Sequence, residues 1–134
     1  MLPTLPHIVC LTEHPLKEQE IETLSIGHYI LGAKFHRQNL KHGGTEIFVH
    51  ESLPFTNINL LEFCMEQDRE TCAVKINLLT TMIHVICIYR SLTGKFVCFI
   101  KGTAAILNQL CKPNIEIIVC GDIIIDYLDE NCYK

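Results

Sequence analysis

Little in this chain is charged. Lys, Arg, Asp and Glu make up 19% of its 134 residues, hydrophobic residues make up 49%, and mean hydropathy is +0.25. That balance excludes a disordered chain, which needs low hydrophobicity and high net charge. It also exceeds what an ordinary soluble surface requires, so part of the chain is expected in strands buried on both faces. Long apolar runs are missing as well. None reaches the ~18 residues that span a bilayer, which excludes a transmembrane helix. Met1–Leu11 lacks the charged start and small-residue cleavage site of a signal peptide, so the expected location is intracellular, in cytoplasm or nucleus. Nor is there an excess of positive charge. A formal charge of −4 and a pI of about 5.9 argue against holding nucleic acid by bulk electrostatics, though not against a nuclease with a local basic loop. Tryptophan is absent. No phosphate-binding glycine-rich loop follows a strand, which excludes a P-loop and a dinucleotide fingerprint; GxSxG and HExxH are also absent.

What is abundant is cysteine. Eight stand at 10, 64, 72, 87, 98, 111, 120 and 132, with no CxxC and no zinc-finger Cys–His spacing, so a structural zinc site is not expected. Cys10, Cys72, Cys87 and Cys120 sit inside apolar runs and read as small buried hydrophobes in a reducing compartment. A secreted disulfide framework is the rival reading.

The length suits one compact domain of the usual ~100–150 residues, here 1–134. Apolar and β-branched runs predict strands over His7–Thr12, His28–His36, Thr45–Glu51, Glu70–Leu79, Met82–Tyr89 and Ile115–Cys120. Helical spacing, with Pro15 suited to a first turn, predicts a helix over Leu16–Leu24. A second helix is expected over Phe96–Leu110, weakened by Gly102. Gly43-Gly44 marks a turn, and Ile123–Leu128 is a further apolar segment. Leu53–Gln67 carries no firm signal. The order β, α, β, β, β, β, α, β fits an α/β protein with mixed or antiparallel pairing better than a doubly wound parallel sheet.

Three polar positions end apolar strands: Glu13 after Cys-Leu-Thr, Tyr89-Arg90 after Met82–Ile88, and Asp122 after Val-Cys-Gly. Ligands of open α/β sheets gather outside strand ends. A carboxylate held there can bind Mg²⁺, a second can orient or deprotonate water, and a tyrosine and an arginine can stabilise phosphoryl charge. The plainer reading makes the acids caps and the tyrosine a strand anchor. The stretch Lys34-Phe35-His36-Arg37…Lys41-His42 is basic with an aromatic inside it. It could meet a nucleic-acid backbone, but as a solvated loop balancing the acidic Glu18–Glu22 segment it needs no ligand. His14, beside Glu13, reads as a loop residue.

The ordered set Leu11-Thr12-Glu13, Gly43-Gly44 before a strand, Ile88-Tyr89-Arg90-Ser91 and Gly121-Asp122-Ile123-Ile124-Ile125-Asp126 resembles the endonuclease/exonuclease/phosphatase superfamily. More narrowly, it resembles the apurinic-type endonuclease domain of non-LTR retrotransposons. The resemblance implies a DNase-I-like fold, a four-layer sandwich of mixed β-sheets flanked by helices, incomplete here. It implies that Glu13 binds Mg²⁺ (or Mn²⁺), that Tyr89 contacts the scissile phosphate, and that Asp122 activates or orients the attacking water. The implied reaction is metal-assisted phosphodiester hydrolysis with DNA as partner.

Three departures accompany it. The family asparagine of Gly-Asp-x-Asn is Ile124 here, an early strand carrying a metal-site asparagine is not represented, and neither is a terminal Ser-Asp-His. The resemblance thus spans roughly three-fifths of a domain larger than the ~100–150 residue mode. The expectation is a relict of weak or no activity whose uncovered sheet edges promote self-association. The alternatives are a non-catalytic nucleic-acid- or protein-binding module on the same fold, or a phosphatase branch acting on phosphorylated lipids or sugars. The nuclease reading requires the Glu13 and Asp122 carboxyl groups to face each other across a shared cation pocket at a common edge of the molecule.

Overall fold

The computed structural model describes residues 4–13, 19–20, 26–39 and 42–123. Seven strands appear: β1 (Ile8–Thr12), β2 (Tyr29–Phe35), β3 (Thr45–His50), β4 (Phe55–Ile58), β5 (Glu70–Asn77), β6 (Met82–Tyr89) and β7 (Ile115–Asp122). A 3₁₀ turn covers Leu61–Phe63, and helix α1 covers Phe96–Leu110. The strands form two sheets, one ordered β1-β3-β2 and the other β4-β5-β6-β7. The first is antiparallel throughout. The second is mixed: β4, β5 and β6 pair antiparallel, and β7 joins β6 in parallel. A parallel neighbour cannot follow a tight hairpin and needs a crossover, which α1 supplies.

The expected strands therefore appear in the expected order, within a residue or two of their predicted ends. β7 runs on through Gly121-Asp122 rather than stopping at Cys120. β4 is the strand that periodicity did not reveal. It is four residues long, exposes Thr56 and Asn57, and pairs with β5 alone, so it offers no apolar alternation to read. The helix expected over Leu16–Leu24 lies outside the described residues, save Gln19 and Glu20, which are helical. The apolar segment after Ile123 also lies outside them.

The sheets pack face to face. Ala33, Ile47 and Val49 of the first meet Cys72, Val74, Ile76, Val85 and Cys87 of the second. The other face of the second sheet, at Ala73, Ile86 and Ile88, is covered by Phe99, Ile106 and Leu110 of α1. This explains the near-continuous apolar run of β6: with both faces covered, alternation disappears. Sheet, sheet and helix thus form three described layers. Glu46 and Phe48, which alternate with Ile47 and Val49 along β3, are also fully buried.

The glycine inside α1 has a packing reason. The buried Arg69 side chain crosses the helix there and donates from Nη1 to the Cys98 carbonyl at 2.6 Å. A Cβ on Gly102 would fall 1.7 Å from that nitrogen. Arg69 also donates from Nε to the Phe63 carbonyl, tying the 3₁₀ turn to the helix. Among the described residues, no helix is long and apolar enough to cross a membrane.

Glu46 has no exposed surface, and its Oε1 lies 3.6 Å from the ring of His36. Burial pushes its carboxyl up from 4.5 to about 8. Between those values the folded chain holds a proton that the unfolded chain has released, so this group makes stability fall as pH rises. Urea denaturation at pH 5 and pH 8 should show the wild type losing stability over that interval, and Glu46→Gln should lose less. An equal loss in both proteins would show that Glu46 does not carry the effect.

Candidate active site

The site is assembled at the ends of β1 and β6, beside the turn that enters β3. Glu13 leaves β1 with φ 55°, a left-handed conformation that L-residues avoid, and its N–H donates to the Gly44 carbonyl at 3.1 Å. Gly43 and Gly44 both have φ 93°. A side chain at Gly43 could not fit, because its Cβ would lie 2.2 Å from Nε of Arg37.

Arg37 passes under this turn to Glu70, the first residue of β5, which has no exposed surface. Arg37 Nε donates to both carboxylate oxygens at 2.9 and 2.8 Å, and Nη2 lies 2.6 Å from Oε2. The same carboxylate accepts the N–H groups of Gly44 at 2.7 Å and Gln67 at 2.9 Å. One buried carboxylate therefore joins three loops. Above it, the Arg37 guanidinium stands 5.7 Å from the centre of the Tyr89 ring.

Tyr89 is the last residue of β6 and is buried. Burial pushes its phenol up, and so does Glu13, both by its charge and by a hydrogen bond from the phenol; Arg37 pulls the other way. The phenol therefore keeps its proton at neutral pH and remains a donor. Glu13, Arg37, His42, Gly43, Gln67 and Tyr89, with Ser91–Thr93, line a cavity of about 270 Å³. Five described non-glycine residues have positive φ, and three of them, Glu13, His42 and Gln67, line this cavity. Backbone strain of this kind costs ~1–3 kcal/mol per residue and gathers at functional sites. A larger cavity of about 930 Å³ opens beside His36, Arg37 and Glu66. It lacks the meeting of an acid with a phenol.

Asp122 stands opposite Tyr89 in the β6–β7 register, and its carbonyl accepts the Arg90 N–H at 3.0 Å. It shares the strand-end edge with Tyr89 but does not line the cavity of Glu13 and Tyr89. Gly121 is obligatory before it: φ is 132°, and a Cβ would lie 1.9 Å from the Ile88 carbonyl oxygen. Ile124 lies outside the described residues, as does His14.

Two sequence readings need correction. Part of the basic stretch is not solvated: Arg37 is spent on Glu70 and the His36 side chain is 9% exposed beside Glu46, whereas Gln38, Asn39 and His42 are exposed and Lys41 lies outside the described residues. Arg90 is not poised for phosphoryl charge. Its guanidinium donates to the Ile123 carbonyl at 3.0 Å and the Gly94 carbonyl at 2.9 Å, and lies over the Phe96 ring.

A second set of ligand-type residues escaped sequence reasoning. The Sγ atoms of Cys10, Cys87 and Cys120 all lie within 4.8 Å of one another, and those of Cys10 and Cys120 are 3.1 Å apart. The donors come from β1, β6 and β7, so no local spacing could announce them; the signal was one cysteine inside each of three apolar strands. Contact with Cys120 and Cys87, and burial, push the Cys10 thiol up. Side-chain hydrogen bonding with Cys10 and Cys87 pulls the Cys120 thiol down. The cysteines among the described residues are all unbridged, so no disulfide framework is present there.

No protein-family model matches this chain, and no curated protein sequence matches it.

The Arg37–Glu70 pair makes a testable demand. Removing one partner of a buried pair leaves a charge uncompensated and typically costs ~3–5 kcal/mol. Arg37→Met should lower stability by that order in urea denaturation. Arg37→Met with Glu70→Gln should be more stable than Arg37→Met alone, because the stranded charge is gone while the amide oxygen still accepts one of the Gly44 and Gln67 N–H groups. A double variant no better than the single one would mean that the pair is not a unit.

Proposed function

We propose that this chain is a DNase-I-like domain that cleaves phosphodiesters in DNA with Mg²⁺ or Mn²⁺, reduced to slow or residual activity. The observation that carries the reading is the meeting of Glu13, in a strained left-handed conformation, with the Tyr89 phenol in one cavity. The two face-to-face sheets, the covering helix and the buried outer residues Glu46 and Phe48 are compatible with a four-layer sandwich.

The donor set fits a hard cation modestly. Glu13 is exposed and offers carboxylate oxygens, while Glu70 is occupied by Arg37. Mg²⁺ commonly binds through one or two carboxylates together with substrate phosphate and water, so Glu13 needs the nucleic acid to complete the site. A cation bound there would polarise a phosphate oxygen and help the leaving oxygen depart. Tyr89 keeps its proton, and its single O–H, given to Glu13 in the free chain, turns to a phosphate oxygen when Glu13 takes the cation. Asp122 orients or deprotonates the attacking water.

Activity is weak because three polar contributions are missing. Ile124 carries no amide, and both Arg37 and Arg90 face inward. Each such loss typically costs ~10²–10³ in rate. With net charge −4, DNA binding should also be shallow in its salt dependence.

Supercoiled plasmid incubated with excess protein and Mn²⁺ should show slow nicking that disappears in Glu13→Gln. Mn²⁺ should broaden backbone NMR signals around Glu13, Tyr89 and Asp122 ahead of the rest. Nicking that survives Glu13→Gln, or broadening centred elsewhere, would refute the assignment. Glu13→Gly separates function from fold: relief of the left-handed strain should raise stability by ~1 kcal/mol while nicking is lost. The same reading has β7, the edge of its sheet among the described residues with Ile118 and Val119 about half exposed, pairing with a second copy. Sedimentation should show mass rising with concentration, and a monodisperse monomer with a sharp melt would contradict it.

A further inference from the structure

We propose that Cys10, Cys87 and Cys120 form a three-sulfur site for a soft monovalent ion, Cu(I), held between the two sheets. The site is independent of the hydrolase reading. Its sulfurs project from three strands: Cys87 and Cys120 are register partners on β6 and β7, and Cys10 on β1 reaches them from the facing sheet. An ion bonded to three thiolates at ~2.3 Å in a plane holds them ~4 Å apart. The sulfurs already lie within 4.8 Å of one another, so closing the site needs only small side-chain shifts.

The donor chemistry selects the ion. Thiolates favour Cu(I), Zn(II) and iron–sulfur clusters over hard cations. Structural zinc takes four ligands, and among the described residues no histidine or carboxylate joins these three sulfurs. Cys72, the register partner of Cys87 on β5, hydrogen-bonds Cys87 but does not lie within 4.8 Å of all three sulfurs. Cu(I) is satisfied by three sulfurs. The sulfurs belong to an apolar core that includes Ile47, Val49 and Val85, and the Leu11 and Ile86 carbonyls accept from the Cys87 and Cys120 thiols at 3.9 and 3.4 Å. Cys10 and Cys120 are only partly buried, which leaves an entry path. Each thiol that ligates as thiolate releases its proton to solvent, and no electron is transferred.

The position has a structural consequence. Glu13 lies three residues beyond Cys10, Tyr89 two beyond Cys87, and Asp122 two beyond Cys120. An ion joining the three sulfurs would tie together the strands that end in those side chains.

The test uses the full chain with Cys64, Cys98, Cys111 and Cys132 replaced by serine, reduced and kept free of oxygen. Cu(I) is added against a coloured Cu(I) chelator, and Zn(II) is titrated in parallel. The expected result is one Cu(I) per chain, three sulfur neighbours by X-ray absorption, and an affinity lowered ~10²-fold or more in Cys120→Ser, since even outer-shell changes cost 10–100-fold. Cys10→Ser should behave alike and serves if Cys120→Ser does not fold. Three outcomes would overturn the proposal: no Cu(I) retained against the chelator, equal affinity in the serine variants, or Zn(II) held as tightly as Cu(I). Loss of two hydrogens in mass on exposure to air, with no copper affinity in the reduced chain, would assign the cluster to a Cys10–Cys120 disulfide instead.

Discussion

The carboxylate of Glu70 sits at zero exposure at the start of β5 and accepts from Arg37, Gly44 and Gln67. Three loops from distant parts of the chain meet on it, and each also borders the cavity of Glu13 and Tyr89. A buried ion pair of this kind contributes little net stability compared with a well-packed apolar replacement, because desolvation offsets most of the Coulomb gain. What it does fix is geometry. Arg37 needs Gly43 to pass, the Gly43-Gly44 turn receives the Glu13 N–H, and the guanidinium ends over the Tyr89 ring. The position of the site thus depends on a contact that takes no part in the proposed chemistry.

That contact withdraws Arg37 from the surface of the basic stretch. Counted along the chain, Lys34 to His42 looks like a phosphate-binding loop. Folded, Arg37 is neutralised and His36 packs on Glu46.

Much of the architecture was legible because burial writes itself into residue type. β6 is buried on both faces and reads as an unbroken apolar run, and α1 shows its spacing despite Gly102. β4 was not legible, because an edge strand with exposed Thr56 and Asn57 shares the composition of a loop. Glu13, Tyr89 and Asp122 were visible as polar residues at strand ends. Their partners were not: nothing local in Arg37, Glu70 or Gly102 tells which side chain will lie against it. The cysteine cluster was hidden for the same reason, since its members are as much as 110 residues apart in sequence and meet only through strand order and sheet packing.

The parallel pairing of β6 with β7 aligns Cys87 with Cys120 and, two steps on, Tyr89 with Asp122. Alternation along a strand has a period of two, so both pairs depend on the same alignment. A slip of one residue would turn Cys120 and Asp122 together toward the helix layer and bring Val119 and Gly121 in their place. Any lineage that shortens or lengthens the crossover must therefore keep this phase intact or lose sulfur and carboxylate at a single stroke.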